Sequence, residues 1–98
     1  DINHSWWDPD FPGLLNTAPE TVALIQMCNL QIENGYAVGR ETLGDGNLDM
    51  SRLIGELMAG GFRGPFEFEL FPRDLRGRDL RTLINGYTKE FSDCAQQV

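Results

Sequence analysis

Residues 21–32, with the sequence TVALIQMCNLQI, form the most apolar run of the chain and decide its fold class. A nearly continuous apolar run of this length is typical of a strand buried on both faces, as in a parallel sheet. The polar, glycine-containing residues 33–47 that follow are predicted to form a loop. A buried strand followed by a loop is therefore the starting point for the rest of the chain.

Two helical patterns and a second strand lie beyond this loop. Apolar residues repeat at helical spacing in residues 49–61, with Asp49 as the predicted N-cap and a Gly-Gly pair as the stop. Residues 65–71, PFEFELF, alternate aromatic and acidic side chains and predict a strand. Residues 79–91 repeat the helical spacing, with Asp79 as the predicted N-cap.

Strands that alternate with helices imply βα units and a parallel sheet. Residues 1–19, rich in proline, are predicted to be irregular, with at most one helical turn around residues 14–16. A strand that is apolar on both faces needs neighbours on both edges, which these elements cannot supply. The chain is therefore predicted either to be a piece of a larger α/β protein or to complete one contributed by another chain.

Composition limits the classes of partner. The chain has 98 residues, enough for one small domain, and a net charge of −7, which argues against nucleic acid as a partner. Its apolar runs fall short of the roughly 20 residues that span a bilayer. Cys28 and Cys94, in a sequence without a recognisable secretion signal, are predicted to be reduced thiols. We expect a cytoplasmic protein that binds neither nucleic acid nor membrane.

Polar side chains interrupt both predicted strands. Glu67 and Glu69 share one face of the second strand, while Phe66 and Phe68 point the other way, toward the helices. Acids on this face would line the interior of a barrel or the mouth of a sheet, where oxygen ligands can hold a hard cation. The structural alternative is that such a Glu is a rim residue or ion-pair partner, and that Gln26 is a hydrogen-bonded core amide.

Residues 40–71, RETLGDGNLDMSRLIGELMAGGFRGPFEFELF, resemble the C-terminal region of the sugar phosphate isomerase/epimerase-like (xylose isomerase-like) TIM barrels. The shared features are an Arg, a Gly-acid-Gly turn, an aliphatic-Asp pair, a helix, a Gly-aromatic-x-Gly turn and a strand that ends in Glu. Residues 1–4, DINH, resemble the motif at the end of the sixth barrel strand. The resemblance implies that residues 1–98 are the C-terminal segment of a single (β/α)8 domain, comprising about strands 7 and 8 with their helices. The preceding βα units are then expected from the same protein or a companion chain.

The resemblance also implies a divalent metal. Asp1, Gln26 and Glu69 match three of the family's four ligands, and the fourth, a Glu on an earlier strand, has no counterpart here. Gln26 replaces the usual His, and Asn29 replaces a usual Asp nearby. An amide oxygen can still ligate a hard cation. The metal implied is Mn²⁺, Mg²⁺ or Co²⁺, with Zn²⁺ as an alternative.

Four further residues are expected at the substrate. His4 and Arg40 match family positions that contact substrate, although a surface histidine and a solvated loop charge are the structural alternatives. Of Trp7 and its neighbour Trp6, one is expected to line the pocket and the other to pack on the rim of the barrel. Arg73 opens a run with Arg76 and Arg78 that could bind an anionic substrate or simply be solvated.

The chemistry that the resemblance implies is proton abstraction beside a carbonyl, with the metal polarising the substrate oxygen. Glu69 is the expected metal ligand and acid/base catalyst. The sequence thus predicts an isomerase or epimerase for a sugar or sugar-like polyol or keto substrate, expected to be a homo-oligomer. A dehydroshikimate- or inosose-dehydratase-like lyase is one alternative, and the substitution at Gln26 leans toward it. A non-catalytic subunit or fragment that completes a barrel is the other.

Overall fold

The computed structural model describes residues 1–11, 13 and 17–96, so the helical turn expected at 14–16 lies outside the described residues. The fold is α/β. Single 3₁₀ turns are formed by Ile2–His4 and Pro19–Thr21. The strands are β1 (Ile25–Met27), β2 (Asn29–Glu33), β3 (Tyr36–Glu41) and β4 (Phe66–Phe68), and the α-helices with defined ends are α1 (Met50–Ala59), α2 (Pro72–Leu75) and α3 (Leu80–Gln96).

The apolar run of residues 21–32 is not one strand, so that prediction was wrong. It forms β1 and β2, which separate at Cys28 and join different sheets. β1 pairs in parallel with β4, and Gln26 lies opposite Glu67. The predicted parallel pairing of the two strand regions is therefore confirmed, although both strands are shorter than the sequence suggested.

The predicted loop at 33–47 is also wrong over its first half, because β2 and β3 form an antiparallel hairpin. Asn34 and Gly35 make its turn, with φ of 53° and 83°. Two successive residues with positive φ match the twist of the flanking strands, and Asn-Gly is the dipeptide that adopts this conformation most readily. The glycine content thus marked a hairpin turn rather than a long loop.

The two long helices agree with the sequence. The Asp49 carboxylate accepts a hydrogen bond from the Arg52 backbone N–H at 3.0 Å and caps α1. Gly61, with a φ of 103°, follows its last turn. The Asp79 carboxylate accepts from the Thr82 backbone N–H at 3.0 Å at the start of α3. Both predicted caps are confirmed, whereas the short helix α2 was not predicted.

An aromatic cluster covers one face of the β1–β4 sheet. It consists of Phe62, Phe66, Phe68, Tyr87 and Phe91, which join β4 to α3 and to the turn after α1. The Phe62 and Phe66 rings meet edge to face with centroids 5.2 Å apart, and Phe68 stacks on Tyr87 at 4.4 Å. This is the helix-facing side that the alternation of PFEFELF predicted.

The opposite face of the β1–β4 sheet is polar. Gln26 Nε2 donates a hydrogen bond to Glu67 Oε1 at 3.0 Å across the two strands. The second edge of each strand has no partner among the described residues. Isolated two-stranded sheets are marginal, and parallel strands normally occur in larger sheets that are covered on both faces. None of the helices described is both long and apolar enough to cross a membrane.

Candidate functional site

The Arg40 guanidinium is the centre of the polar site. Its side chain is only 5% exposed. Nη2 donates to Asp1 Oδ2 at 2.8 Å and Nη1 to Asp1 Oδ1 at 3.3 Å, so the carboxylate is held by both oxygens. Nη1 also lies 3.8 Å from Glu69 Oε2. The structure therefore brings two of the predicted metal ligands, Asp1 and Glu69, to one positively charged group.

Three separate segments deliver these side chains: the first 3₁₀ turn carries Asp1, β3 carries Arg40 and the residue after β4 is Glu69. Asp1 caps the first 3₁₀ turn, where its Oδ1 accepts from the Asn3 backbone N–H at 2.9 Å. Glu69 directly follows β4, and its backbone N–H donates to the Met27 carbonyl at 2.9 Å, which extends the parallel pairing by one bond. The site consequently lies beyond the carboxyl ends of β1 and β4, where α/β proteins place their ligands.

Gln26, the third predicted ligand, is occupied differently. Its amide nitrogen is bonded to Glu67, and the structure gives it no hydrogen bond to Asp1 or Glu69. Gln26 shares the polar face of the sheet with Glu67, two residues before Cys28. The geometry thus brings Asp1 and Glu69 together through Arg40, whereas the Gln26 amide is hydrogen-bonded to Glu67 and to neither of them.

Cys28 was missed as a site residue. Its sulfur lies 3.5 Å from Arg40 Nη1, and the residue is fully buried. Burial raises the pKa of the Cys28 thiol, and the Arg40 charge and hydrogen bond offset this only in part. The signal in the sequence was its spacing of two residues from Gln26, which directs both side chains to one face. Cys28 and Cys94 are both free thiols.

The N-terminal residues expected at the substrate are exposed. His4 lies on the outside of the first turn, and the Trp7 residue is 63% exposed. Trp6 is half-buried and lines a groove with Arg52 and Leu53 of α1. Of the two tryptophans, Trp6 is the one that packs against the body of the protein. The roles of His4 and Trp7 in substrate binding stay predictions.

Two of the three arginines in the run after β4 are engaged in an ion-pair clamp, which we define as Glu41, Asp74, Arg76 and Arg78. The Glu41 carboxylate, in a residue 2% exposed, pairs with Arg76 and, at 2.8 Å, with Arg78 Nη1. Burial alone would raise the pKa of Glu41. The Arg78 and Thr42 hydrogen bonds and the two positive charges outweigh it and hold that pKa below its usual value.

Asp74 completes the clamp from α2. Its Oδ1 accepts from the Arg40 backbone N–H at 3.1 Å and its Oδ2 from the Phe71 backbone N–H at 2.9 Å. These bonds fix the strand that carries Arg40 against the segment that follows Glu69. Arg73 takes no part in the clamp: it is exposed, and its guanidinium lies 5.7 Å from the Phe71 ring centroid.

Asn29, at the position where the resembling family has an Asp, is a structural residue. Its Nδ2 donates to the carbonyls of Leu43 at 2.8 Å and Leu48 at 3.1 Å, and its Oδ1 accepts from the Leu30 and Leu48 backbone N–H groups. A Cβ on Gly46 would lie 2.3 Å from the Asn29 side chain. Asn29 thereby holds the Gly-Asp-Gly turn close to β2.

The donor chemistry bears on the implied metal. In the described part of the chain, no three His, Cys, Asp or Glu side chains are grouped so that they could hold a metal ion. The two carboxylates that do converge, from Asp1 and Glu69, already face a cation, the Arg40 guanidinium. The three ligands that the resemblance implies, Asp1, Gln26 and Glu69, would be an all-oxygen set, which suits Mg²⁺ or Mn²⁺ better than Zn²⁺, whereas the structure holds the Gln26 amide on Glu67.

Comparison with known proteins gives a likeness of fold. The chain matches the crystal structure of protein SMc04130 from Sinorhizobium meliloti 1021 with a TM-score of 0.71 and 24% sequence identity. The match covers 91% of this chain and 34% of that one, so the chain spans about a third of the length of the solved protein. No family model and no curated protein matches the chain. At this identity the likeness concerns the fold alone.

Proposed function

We propose that this chain is the C-terminal portion, about strands 7 and 8, of a (β/α)8 barrel of the sugar phosphate isomerase/epimerase-like superfamily. The parallel β1–β4 pair supports this, because each strand has an unpaired edge among the described residues, helices on one face and polar side chains on the other. The match to about a third of a longer chain is consistent with it.

The function proposed for the site is isomerisation or epimerisation of a sugar, or of a sugar-like polyol or keto substrate, by proton abstraction beside a carbonyl. One observation carries the proposal: Asp1 and Glu69 meet the Arg40 guanidinium beyond the carboxyl ends of two parallel strands. The Glu69 side chain is 30% exposed, so substrate can reach it, whereas the Asp1 side chain is only 12% exposed and is tied to Arg40.

The residues divide the chemistry between them. Glu69 takes the proton from the carbon beside the carbonyl. Return of the proton to the neighbouring carbon gives isomerisation, whereas delivery of a proton to the opposite face of the same carbon, by a second acid outside the described residues, gives epimerisation. The Arg40 guanidinium is held rigidly by Asp1, and its fixed positive charge stabilises the negative charge that develops on the substrate oxygen. Cation–π contact with the Phe71 ring, 4.6 Å from the guanidinium carbon, further limits the movement of Arg40.

A divalent cation is part of the proposal. Asp1, Gln26 and Glu69 would hold it through oxygen, together with a ligand from outside the described residues. When bound, the ion supplies a Lewis acid for the substrate carbonyl. We also propose a cytoplasmic location, which the two free thiols support.

The test is the variant Glu69→Gln in the full-length protein, assayed with ketoses, inososes and dehydroshikimate in the presence of Mn²⁺, Mg²⁺, Co²⁺ or Zn²⁺, and with a chelator. Turnover should be lost at least about 100-fold, because a positioned acid/base contributes that much. Glu56→Gln, which removes an exposed carboxylate on α1, is the matched control and should keep full activity.

The panel also separates the alternatives. Loss of water from dehydroshikimate or an inosose would identify a dehydratase instead of an isomerase. Wild-type turnover by Glu69→Gln would remove Glu69 from the mechanism. A protein that turns over none of these substrates with any of the metals would favour a non-catalytic subunit.

A further inference from the structure

A cleft beside the Arg40 site is lined by two further arginines, Arg73 and Arg76, that the proposed chemistry does not use. The cleft has a volume of about 190 Å³, and its walls include Arg40, Arg73 and Arg76 together with Val38 and Gly39. A smaller cleft of about 80 Å³ also lies between Arg40, Arg73 and Gly39, on the side of the N-terminal turn at Asn3. Arg40 therefore lines both clefts.

The positive charge of this cleft is only partly balanced. Arg40 is matched by Asp1 and Glu69, and Arg76 shares the single Glu41 carboxylate with Arg78. Arg73 forms no ion pair within the described ranges. In a chain of net charge −7, an exposed arginine without a carboxylate partner beside two other guanidinium groups is a concentration of positive charge.

The carboxylate that also lines the cleft does not cancel this charge by direct pairing. Asp74 is buried, and both of its oxygens accept backbone N–H groups, from Arg40 and Phe71. The Phe71 ring centroid lies 4.6 Å from the Arg40 guanidinium carbon and 5.7 Å from that of Arg73, so one aromatic side chain contacts both guanidinium groups. Gly39 contributes no side chain, which keeps the cleft open at β3.

We propose that this cleft binds an oxyanion of the substrate, a carboxylate or a phosphate, through Arg73 and Arg76. Planar guanidinium groups match the geometry of both anions, and each offers several N–H donors. Arg76 commits one terminal nitrogen to Glu41, which leaves its other donors for a ligand. Resting on the proposed function, the anion is placed beside Arg40 and so anchors a substrate whose carbonyl faces Glu69.

The consequence is a substrate class. Neutral ketoses and inososes have no group for this cleft, whereas a keto acid or a sugar phosphate does. An anchored anion also fixes the distance from the charged end of the substrate to its reacting carbon, which favours one length of molecule over others.

Anion binding can be measured without turnover. We would follow the arginine Nε–Hε signals of ¹⁵N-labelled full-length protein during titration with inorganic phosphate and, separately, with glycolate, at constant chloride. The Arg73 and Arg76 signals should shift and saturate. Arg73→Gln should weaken binding by about tenfold or more, since a charge-assisted bond is lost. Arg81→Gln, an equal charge change at an exposed position on α3 that lines neither cleft, should bind like the wild type.

A second variant tests the cleft without changing its charge. Gly39→Ala places a methyl group at the cleft wall, and its Cβ would lie 3.8 Å from Asp74 Oδ1, an ordinary van der Waals distance. Its anion affinity should fall as that of Arg73→Gln does. Saturable shifts with phosphate only would identify phosphorylated substrates, and shifts with glycolate only would identify carboxylic acids; both results support the proposal.

Absence of binding by either anion, or equal binding by wild type and Arg73→Gln, overturns it. These outcomes are separable from those of the proposed function. Anion binding without turnover of any acidic substrate would contradict the proposed isomerase activity and would still support anion binding in the cleft. Turnover of neutral sugars that depends on Glu69 but not on Arg73 would support the proposed isomerase activity and contradict the anchoring of substrate by the cleft.

Discussion

The aromatic cluster and the ion-pair clamp hold neighbouring parts of this molecule by opposite means. The aromatic cluster joins β4 to α3 through ring contacts, and Phe62 at its edge is 1% exposed. The ion-pair clamp joins the β2–β3 hairpin to the segment after β4 through charges, with Glu41 at its centre. Apolar packing adds up from many small contacts, whereas the clamp depends on one carboxylate that serves two arginines.

The difference assigns different tasks to the two regions. Aromatic packing has no strict directional requirement and positions whole elements, in this case α3 against the sheet. Charged hydrogen bonds are directional, and they set the orientation of individual groups. The ion-pair clamp lies next to Arg40. The region held together by charges is therefore the one that fixes the orientation of the polar site.

Phe62→Ala should have the largest effect on stability and tests the aromatic cluster. Phe62 belongs to the buried apolar core and packs edge to face on Phe66. Removal of a buried phenylalanine leaves a cavity and costs about 4 kcal/mol in the free energy of unfolding, measured by urea denaturation. Tyr36→Ala, at a residue that is 75% exposed on the hairpin, is the control, with an expected loss below about 1 kcal/mol. Equal losses would contradict the assignment of stability to the cluster.

Glu41→Gln should come next, with a loss of about 2 kcal/mol, because the hydrogen bonds of Glu41 to two charged groups, Arg76 and Arg78, are weakened while both arginines stay partly solvated. The same denaturation experiment applies. Glu56→Gln removes one partner of an exposed pair on α1 and should change stability by no more than about 0.5 kcal/mol. If both variants behave alike, the clamp contributes nothing beyond an ordinary surface pair.

The pH dependence of the Glu41 effect sharpens this result. The folded-state pKa of Glu41 lies below its ordinary value of 4.5. A lowered pKa means that the contribution is complete above the unfolded-state pKa and is lost as the pH falls through the folded-state pKa. The difference between wild type and Glu41→Gln should therefore be largest near about pH 7 and shrink below about pH 4. A difference that stays constant over this range would exclude the carboxylate charge as its source.

Glu90→Gln should have the smallest effect and the opposite sign. Glu90 of α3 accepts a hydrogen bond from the Gly44 backbone N–H and so connects the helix of the aromatic cluster to the turn after β3. Burial raises its pKa, and the charges of Asp45, Glu41 and Asp93 add to this, against the Gly44 hydrogen bond. A raised pKa means that its contribution is complete at low pH and is lost as the pH rises through the folded-state value.

Glu90→Gln should therefore raise the free energy of unfolding by a few tenths of a kcal/mol near about pH 7 and leave it unchanged in acid. Thermal unfolding at the two pH values measures this. Glu33→Gln, at an exposed position on β2, serves as the control for a simple loss of negative charge. Destabilisation by Glu90→Gln at neutral pH would show that the hydrogen bond to Gly44 requires the charged form.

The parts of the structure that sequence reasoning found are those with a local cause. The caps of α1 and α3 depend on Asp49 and Asp79, each of which bonds to a backbone N–H three residues later. The division of 65–71 into an aromatic and an acidic face depends on the alternation of a strand. The hairpin was missed although Asn34-Gly35 is a local signal, because the glycines were weighed together as loop residues.

The candidate site was found only in part for a different reason. Asp1 and Glu69 were expected to meet a metal, and they meet Arg40, which was expected at the substrate. Arg76 and Arg78 could not be told from a solvated run, because their partner Glu41 lies more than thirty residues earlier in a segment that was predicted to be a loop. The pairing depends on the hairpin, and the hairpin had not been recognised.

The sequence by itself determined the two long helices, their caps and which face of residues 65–71 is apolar. These features follow from side-chain spacing and from hydrogen bonds between residues a few positions apart, so a short segment of the sequence is enough to predict each of them. Only the tertiary structure decided that Cys28 divides one apolar run between two sheets, that Glu41 collects two arginines and that Arg40 lies between Asp1 and Glu69. Those contacts join residues far apart in the chain, and charges pair with whatever partner the fold brings within reach.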